Sequence, residues 1–183
     1  MSTSIRKPRS KRSELPKCVR RVKKKIGDVI EIPTSKGLAY VQYTHEHQEP
    51  PVYGSLVRVL DGFFEKRPSM EEICGLVKNK HRFQIFCPVH HTVNLGDWGL
   101  IGNFTIPEKF QEFPIFKNMK YLLKKPKNLQ EANWTLWDGE KSWPVGKISL
   151  DEQMKYPSKM VCNDTGLIHH IETGVSYEGV LLV

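Results

Sequence analysis

The sequence predicts an α+β fold that is mostly antiparallel β, arranged as a bent sheet or small half-barrel with two or three short helices. Val29, Ile30 and Ile32 form a β-prone run, which a Ser-Lys-Gly turn connects to a second run at 38–41. Further short apolar runs are bounded by Gly, Pro and Asp turns. Two Ser-x-x-Glu capping boxes mark the starts of short helices. Many short strands with few helices indicate an antiparallel α+β domain.

The first half of the chain provides a hairpin, two further strands and one helix. Gly27-Asp28 fits a tight turn before the first strand, which we expect to end at Pro33. We expect a polar loop over 45–51, a strand over 52–60 with Val57, Val59 and Leu60 in the core, and another strand over 83–89. Between these strands, Ser69 caps a helix whose buried face carries Met70, Ile73, Cys74 and Val77.

The second half contains a hairpin and a second short helix. The predicted segments are a short buried strand at 98–102, a loop with a helical turn at 107–114, an exposed lysine-rich insertion at 117–131, a hairpin at 134–146 and a helix from Ser149 to Pro157. Asp138-Gly139 forms the turn of that hairpin. The residue pattern from Gly166 to Val183 does not indicate whether this segment is a helix or a strand.

The net charge of +8 is concentrated at the N-terminus. Residues 1–25 hold eleven Lys and Arg and one acid, a net charge of +10, whereas the other 158 residues carry −2. This composition predicts a disordered basic arm over 1–25 and a single domain over 26–183. The arm is either a solvated tail or makes weak, salt-sensitive contact with nucleic acid or an acidic partner. The candidate nucleic-acid-binding residues are Arg20, Arg21, Lys23, Lys24 and Lys25.

Cysteine usage and hydropathy predict a cytoplasmic protein. The four cysteines, Cys18, Cys74, Cys87 and Cys162, lie far apart, and no apolar segment of the secretory type follows the basic residues. Free thiols in a reducing compartment are therefore expected. No apolar run reaches the length of a membrane span, so no membrane partner is expected.

Cys87-Pro-Val-His90-His91 is the sharpest candidate for metal binding, because Cys-x-x-His can offer two zinc ligands. Further ligands would have to come from Cys162, His169 or His170, in a spacing typical of no common zinc module. Adjacent histidines on a strand would also face opposite sides. We therefore predict ordinary strand and loop residues, no metal and no cofactor.

The chain contains no recognisable catalytic motif. It has no Gly-rich phosphate loop, no His-Glu-x-x-His and no Gly-x-Ser-x-Gly. Cys87 or Cys162 paired with a histidine could act as a nucleophile, but no third group is positioned by motif to orient the pair. We predict a binding protein and not an enzyme.

Four tryptophans are candidates for a core or for a binding surface. Trp134, Trp137 and Trp143 lie within ten residues, and Trp98 is the fourth. Trp134 and Trp137 are three apart on one predicted strand, so they point to opposite faces. We expect at least one of them to be exposed unless both faces of the sheet are covered.

The order of several short motifs resembles the immunity protein 26 family of bacterial polymorphic toxin systems. Gly27 to Pro33, followed by Gly37 to Tyr40, resembles the start of that family. Trp98 to Gly102 is similar to its central strand, and Trp137-Asp138-Gly139 to its tryptophan-acid-glycine motif. The resemblance covers about residues 23–175, without the basic arm.

This resemblance implies a mostly β domain that neutralises a cognate protein toxin by stoichiometric binding, without catalysis. Trp98, Trp137 and Asp138 are the candidate contact residues. The alternative function is a small nucleic-acid-associated β-barrel protein, anchored to phosphate by its basic arm. A metal- or thiol-dependent enzyme built on Cys87 is a third, weaker hypothesis.

Overall fold

The computed structural model of the protein describes residues 21–120, 129 and 131–175. Within them, eight strands and four α-helices form an α+β fold with two antiparallel sheets, which confirms the predicted fold class. The sheets are not closed into a barrel. None of the helices described is both long enough and apolar enough to cross a membrane.

The elements of the first sheet and its helices come first along the chain. They are β1 (Asp28–Thr34), β2 (Gly37–His47), β3 (Gly54–Leu60), α1 (Met70–Lys78), β4 (His81–Phe86), α2 (Val89–Leu95) and β5 (Gly99–Asn103). A 3-10 turn (Glu108–Phe110) precedes the second sheet. The remaining elements are β6 (Phe116–Lys120), β7 (Asn133–Trp137), β8 (Ser142–Gly146), α3 (Leu150–Gln153) and α4 (Asp164–Thr173).

The first sheet has five strands in the order β4-β3-β2-β1-β5, and the predicted hairpin forms its centre. β1 does not end at Pro33 as predicted, because Pro33 pairs with Leu38 and the strand continues to Thr34. β5 pairs with β1 only from Asp28 to Glu31. The nitrogen of Pro33 points to the side that β5 leaves open, so the missing N–H interrupts no ladder.

The polar segment that was predicted as a loop over 45–51 is partly strand. β2 continues through His45 and Glu46 to His47, opposite Leu56, Ser55 and Gly54 of β3. A bulge between Tyr43 and His45 shifts the register of the pair. Carbonyl groups distant in sequence bond to the rings of His45 and His47, whereas the Glu46 carboxylate accepts hydrogen bonds from Lys24, Tyr43 and Ser55.

The predicted helix with a capping box is confirmed as α1. The Ser69 side chain accepts a hydrogen bond from the N–H of Glu72, and the Glu72 carboxylate accepts one from the N–H of Ser69. Ile73 and Val77 are buried as predicted, whereas Met70 is 56% exposed. Met70 is the first residue of the helix and lies at the margin of the packed face.

The second sheet has the order β6-β7-β8, and β7 and β8 form the predicted hairpin. The prediction of an exposed insertion over 117–131 is wrong at its start, because Phe116–Lys120 is a strand paired with β7. Lys117 is only 2% exposed, and its ammonium donates a hydrogen bond to the carbonyl oxygen of Gln153. Residues 121–128 and 130 of the predicted insertion lie outside the described residues.

Two helices occupy segments that were assigned to strand or left unassigned. α2 places His90 and His91 on a helix, and α4 does the same for His169 and His170, so the argument from alternating strand faces does not apply to them. Asn163 caps the N-terminus of α4, and its side chain accepts a hydrogen bond from the N–H of Gly166. Residues 176–183 of the unassigned segment lie outside the described residues.

A segment that we call the strap, Pro157–Cys162, connects the two sheets by hydrogen bonds. The N–H of Lys159 donates to the carbonyl of Lys117 in β6, over 2.8 Å. Further along, the N–H of Phe86 in β4 donates to Met160 of the strap over 3.0 Å. The strap therefore pairs with an edge strand of each sheet.

Candidate binding site

Aromatic side chains from both sheets pack together where the sheets meet. Phe86 of β4, Phe116 of β6 and Trp137 of β7 form one buried cluster, with Tyr53 packed against it. A cavity of about 640 Å³ opens beside this cluster. We call it the aromatic pocket; the lining residues used below are His47, Glu49, Tyr53, Trp137, Glu140 and Lys159.

Two aromatic rings form a corner of the aromatic pocket. The ring centroids of Tyr53 and Trp137 are 5.2 Å apart, with their planes at 69°. The imidazole of His47 lies 5.0 Å from the Trp137 ring, also edge to face. Edge-to-face packing stabilises such pairs beyond the area that they bury. Phe86 and Phe116 support the corner from behind, so the Trp137 ring has a defined orientation.

The ammonium of Lys159 lies over both rings of the corner. Its nitrogen is 4.4 Å from the Trp137 centroid and 4.5 Å from the Tyr53 centroid. Both distances are within the range of a cation–π interaction, about 6 Å. The backbone of Lys159 is positioned by its bond to Lys117, so β6 determines where this ammonium can reach.

Asp138 shapes the margin of the aromatic pocket and does not line it. Its Oδ1 accepts hydrogen bonds from the N–H groups of Lys141 and Glu140, at 2.7 and 3.0 Å. These bonds lower the pKa of Asp138 below its usual value. Gly139 follows with a φ of +105°, a conformation that favours glycine. The connection between β7 and β8 therefore runs over four residues, from Asp138 to Lys141, and the Asp138 side chain stabilises it.

His47 connects this hairpin turn to the first sheet. Its Nε2 donates to the carbonyl oxygen of Gly139 over 2.8 Å, since a carbonyl can only accept. Its Nδ1 accepts from the N–H of Tyr53 over 3.4 Å. The His47 ring therefore bonds both to the turn between β7 and β8 and to the backbone of Tyr53, which lines the pocket. The strand extension to His47 is what makes this contact available.

Two carboxylates stand at the entrance of the aromatic pocket. Glu49 and Glu140 are exposed and line the cavity. Among the residues that the structure describes, neither side chain forms a hydrogen bond or an ion pair. The entrance therefore carries negative charge, and the ammonium of Lys159 is the cation in the lining.

The structure separates Trp98 from the other two predicted contact residues. Trp98 is 6% exposed and packs in the core of the first sheet, in a different cluster from Trp137. Trp134 is 2% exposed and Trp137 is 6% exposed, so both rings are packed in the protein. Both faces of β7 are covered, which was the exception stated above. Trp137 and Asp138 are adjacent, but only Trp137 lines the pocket.

The predicted arm is described only from residue 21 onward, so Arg20 lies outside the described residues. Arg21, Lys23, Lys24 and Lys25 are exposed, as phosphate-binding side chains would have to be. Val22 packs against the core of the first sheet, and its N–H donates to Oδ1 of Asn94 over 2.8 Å. The described end of the arm is therefore attached to the domain. Disorder of residues 1–20 stays a prediction.

The ammonium of Lys24 forms an ion pair with Glu46 of β2. Burial opposes ionisation of Glu46, but hydrogen bonds from Lys24, Tyr43 and Ser55 together lower its pKa. The Lys24 ammonium is therefore already engaged in a contact with the domain. Lys23 and Lys25 have no such carboxylate partner among the described residues.

The Cys87 segment brings the Cys87 thiol close to Cys162 and the His90 ring close to Asp28. No group of three or more His, Cys, Asp or Glu side chains in the described part of the chain is placed to hold a metal ion. A hydrogen bond with the Cys162 thiol and burial both raise the pKa of Cys87, which keeps it protonated and weakly nucleophilic. Nε2 of His90 is paired with Asp28 over 2.9 Å.

Comparison with known proteins finds no matching family profile, no matching curated protein and no matching solved structure. The interpretation of the aromatic pocket therefore rests on its own geometry. Of the residues that line the aromatic pocket, Trp137 was predicted from the sequence as a contact residue. Sequence reasoning placed His47 in a polar loop and assigned no role to Tyr53 or Lys159, which come from two further segments.

Proposed function

We propose that this protein is a cytoplasmic, non-catalytic, immunity-like protein that binds and neutralises a cognate protein toxin, and that the aromatic pocket is part of its binding surface. The observation that carries the proposal is the combination of a rigid Tyr53–Trp137 corner with unpaired carboxylates at its entrance. Buried aromatic anchors surrounded by polar groups are typical of binding hot spots.

The resemblance described above supports the same class of protein. Trp137-Asp138-Gly139, the motif similar to that of the immunity protein 26 family, forms the wall and the turn beside the aromatic pocket. The Gly27 to Pro33 motif forms the central hairpin of the first sheet. One motif thus lies in the central hairpin and the other lies at a candidate contact surface.

Co-expression with a toxin encoded next to this gene should protect the host cell, with the two proteins forming a stoichiometric complex. Tyr53→Leu should weaken that complex about 30-fold, because it removes one side of the aromatic corner. Titration calorimetry measures the affinity. Glu65→Gln, an exposed carboxylate on the loop before α1, is the matched control and should leave the affinity unchanged. Pull-downs that recover only nucleic acid, or nothing, would contradict the proposal.

The alternative function, a nucleic-acid-associated protein, is favoured by a separate basic groove. This groove, a cavity of about 580 Å³, is lined by Lys80, Arg82, Lys109 and Lys155 together with one acid, Glu112. A phosphate backbone is the kind of polyanion that such a cluster of cations binds, and the exposed arm lysines are a second set of candidate phosphate contacts.

The alternative predicts salt-dependent binding to a DNA duplex. Deleting residues 1–20, which leaves the bond between Val22 and Asn94 in place, should reduce affinity strongly and flatten the salt dependence. Fluorescence anisotropy at several salt concentrations measures both quantities. Binding that does not respond to salt would contradict this function.

A further inference from the structure

We propose that the aromatic pocket is a cation cage that receives a lysine or arginine side chain of the protein partner, and that Lys159 is an internal occupant that this side chain displaces. The partner's identity rests on the proposed function above, but the cation preference of the cage does not. It follows from three properties of the described residues: the aromatic corner, the weak attachment of Lys159 and the unpaired carboxylates.

The aromatic corner has the geometry that cation recognition requires. Two ring systems meet at 69°, and a positive nitrogen lies 4.4 and 4.5 Å from their centroids. The faces of Trp and Tyr rings carry negative potential, so a cation between them is attracted by both. The presence of an ammonium in this corner demonstrates that the space and the approach distance are suitable for such a group.

Lys159 is bound in a way that allows exchange. Within the described part of the chain its ammonium has no hydrogen bond and no ion pair, and its side chain is partly exposed. Lys117 provides the contrast, because it is 2% exposed and its ammonium bonds to the Gln153 carbonyl. Lys117 is therefore a structural lysine, whereas Lys159 is held by ring faces alone and can move into water at low cost.

The charge of the entrance selects a cation over an anion. Glu49 and Glu140 line the cavity and have no partner among the described residues. When Lys159 leaves, the lining holds two carboxylates and no opposite charge. An incoming lysine or arginine offsets one of these two negative charges and fills the ring corner at the same time. A neutral apolar side chain could do only part of this.

Binding of tetramethylammonium chloride tests the cage without any knowledge of the partner. Lys159→Met keeps a flexible stem and removes the internal ammonium, so we expect it to bind the probe about 10-fold more tightly than the wild type. Two-dimensional NMR of the indole N–H signals reports binding at Trp137. Neopentyl alcohol, a neutral compound of similar shape, should bind more weakly than the probe in Lys159→Met at the same ionic strength.

Two further variants separate the cage from a fold defect. In the Lys159→Met background, Tyr53→Phe keeps the ring and should retain binding, whereas Tyr53→Leu should lose most of it. Equal binding by the wild type and Lys159→Met, or equal binding of the neutral compound, would overturn the cage. Toxin neutralisation that persists while the probe fails to bind would overturn the cage and leave the proposed function standing. Probe binding without any toxin partner would support the cage and count against that function.

Discussion

Replacing Arg58 with alanine is expected to lower the free energy of unfolding by about 4 kcal/mol, because it leaves buried polar groups without a partner. Arg58 is completely buried in β3. Its Nε and one terminal nitrogen donate to Oε1 of Gln42, at 2.9 and 2.7 Å. That terminal nitrogen also donates to the carbonyl of Val77, near the end of α1. The guanidinium therefore joins two strands and a helix.

The charge of Arg58 has no carboxylate partner among the described residues. Burial lowers the pKa of Arg58 to about 10, and the ring of Phe110 lies 4.3 Å from the guanidinium carbon. Neutral acceptors and an aromatic face thus replace the water that the charge has lost. Truncating Arg58 removes the donor from all of these acceptors at once, which is why a large effect is expected.

Urea unfolding at neutral pH measures the loss through the midpoint and the slope. Arg58→Met is the matched control, since it keeps most of the buried volume while losing the charge and its bonds. We expect it to cost about 2 kcal/mol, less than the alanine variant. If Arg58→Ala changes the unfolding free energy by less than 1 kcal/mol at an unchanged slope, the assigned role is wrong.

The second large effect is a pH dependence caused by Lys117. Burial lowers the pKa of Lys117 to about 8, from an ordinary value of 10.5. Between these two values the unfolded state holds more protons than the folded state, so stability rises with pH. Relative to Lys117→Met, the wild type should gain about 3 kcal/mol between pH 8 and pH 10.5.

Comparing the two proteins removes the contribution of other groups. Burial and a carboxylate neighbour raise the pKa of both Tyr40 and Tyr43, which lowers stability above pH 10 in either protein. Urea unfolding at several pH values measures the difference. Lys66→Met, at an exposed position, should give a flat difference from the wild type. A flat difference for Lys117→Met as well would show that Lys117 does not carry the effect.

Local patterns were sufficient to predict the hairpin of β1 and β2, the capped helix α1 and the hairpin of β7 and β8. In each of these, the residues that determine the element lie within it. β6 was missed because its lysines suggested exposure, although Lys117 is buried and its ammonium bonds to the carbonyl of Gln153 in another segment. α2 was missed because Pro88 precedes it without a side-chain cap.

The candidate site was less predictable than the fold. Trp137 and Asp138 were identified from one short motif; Trp137 lines the cavity and Asp138 lies beside it. The Asp138 carboxylate holds the predicted hairpin turn, and its contact with a partner stays a prediction. Tyr53 and Lys159 approach Trp137 only after the two sheets have packed together, and no local sequence pattern encodes that contact.

The strap has a consequence for the order of folding. Its contact between Val161 and Phe86 joins residues that are far apart in the chain, whereas the β7–β8 hairpin closes a short loop. Closing a long loop costs more entropy, so local hairpins are favoured to form first. The β7–β8 hairpin can therefore form before the strap pairs with β4. Lys159 reaches the aromatic corner only when the strap is in place, so the occupied cage forms after that hairpin.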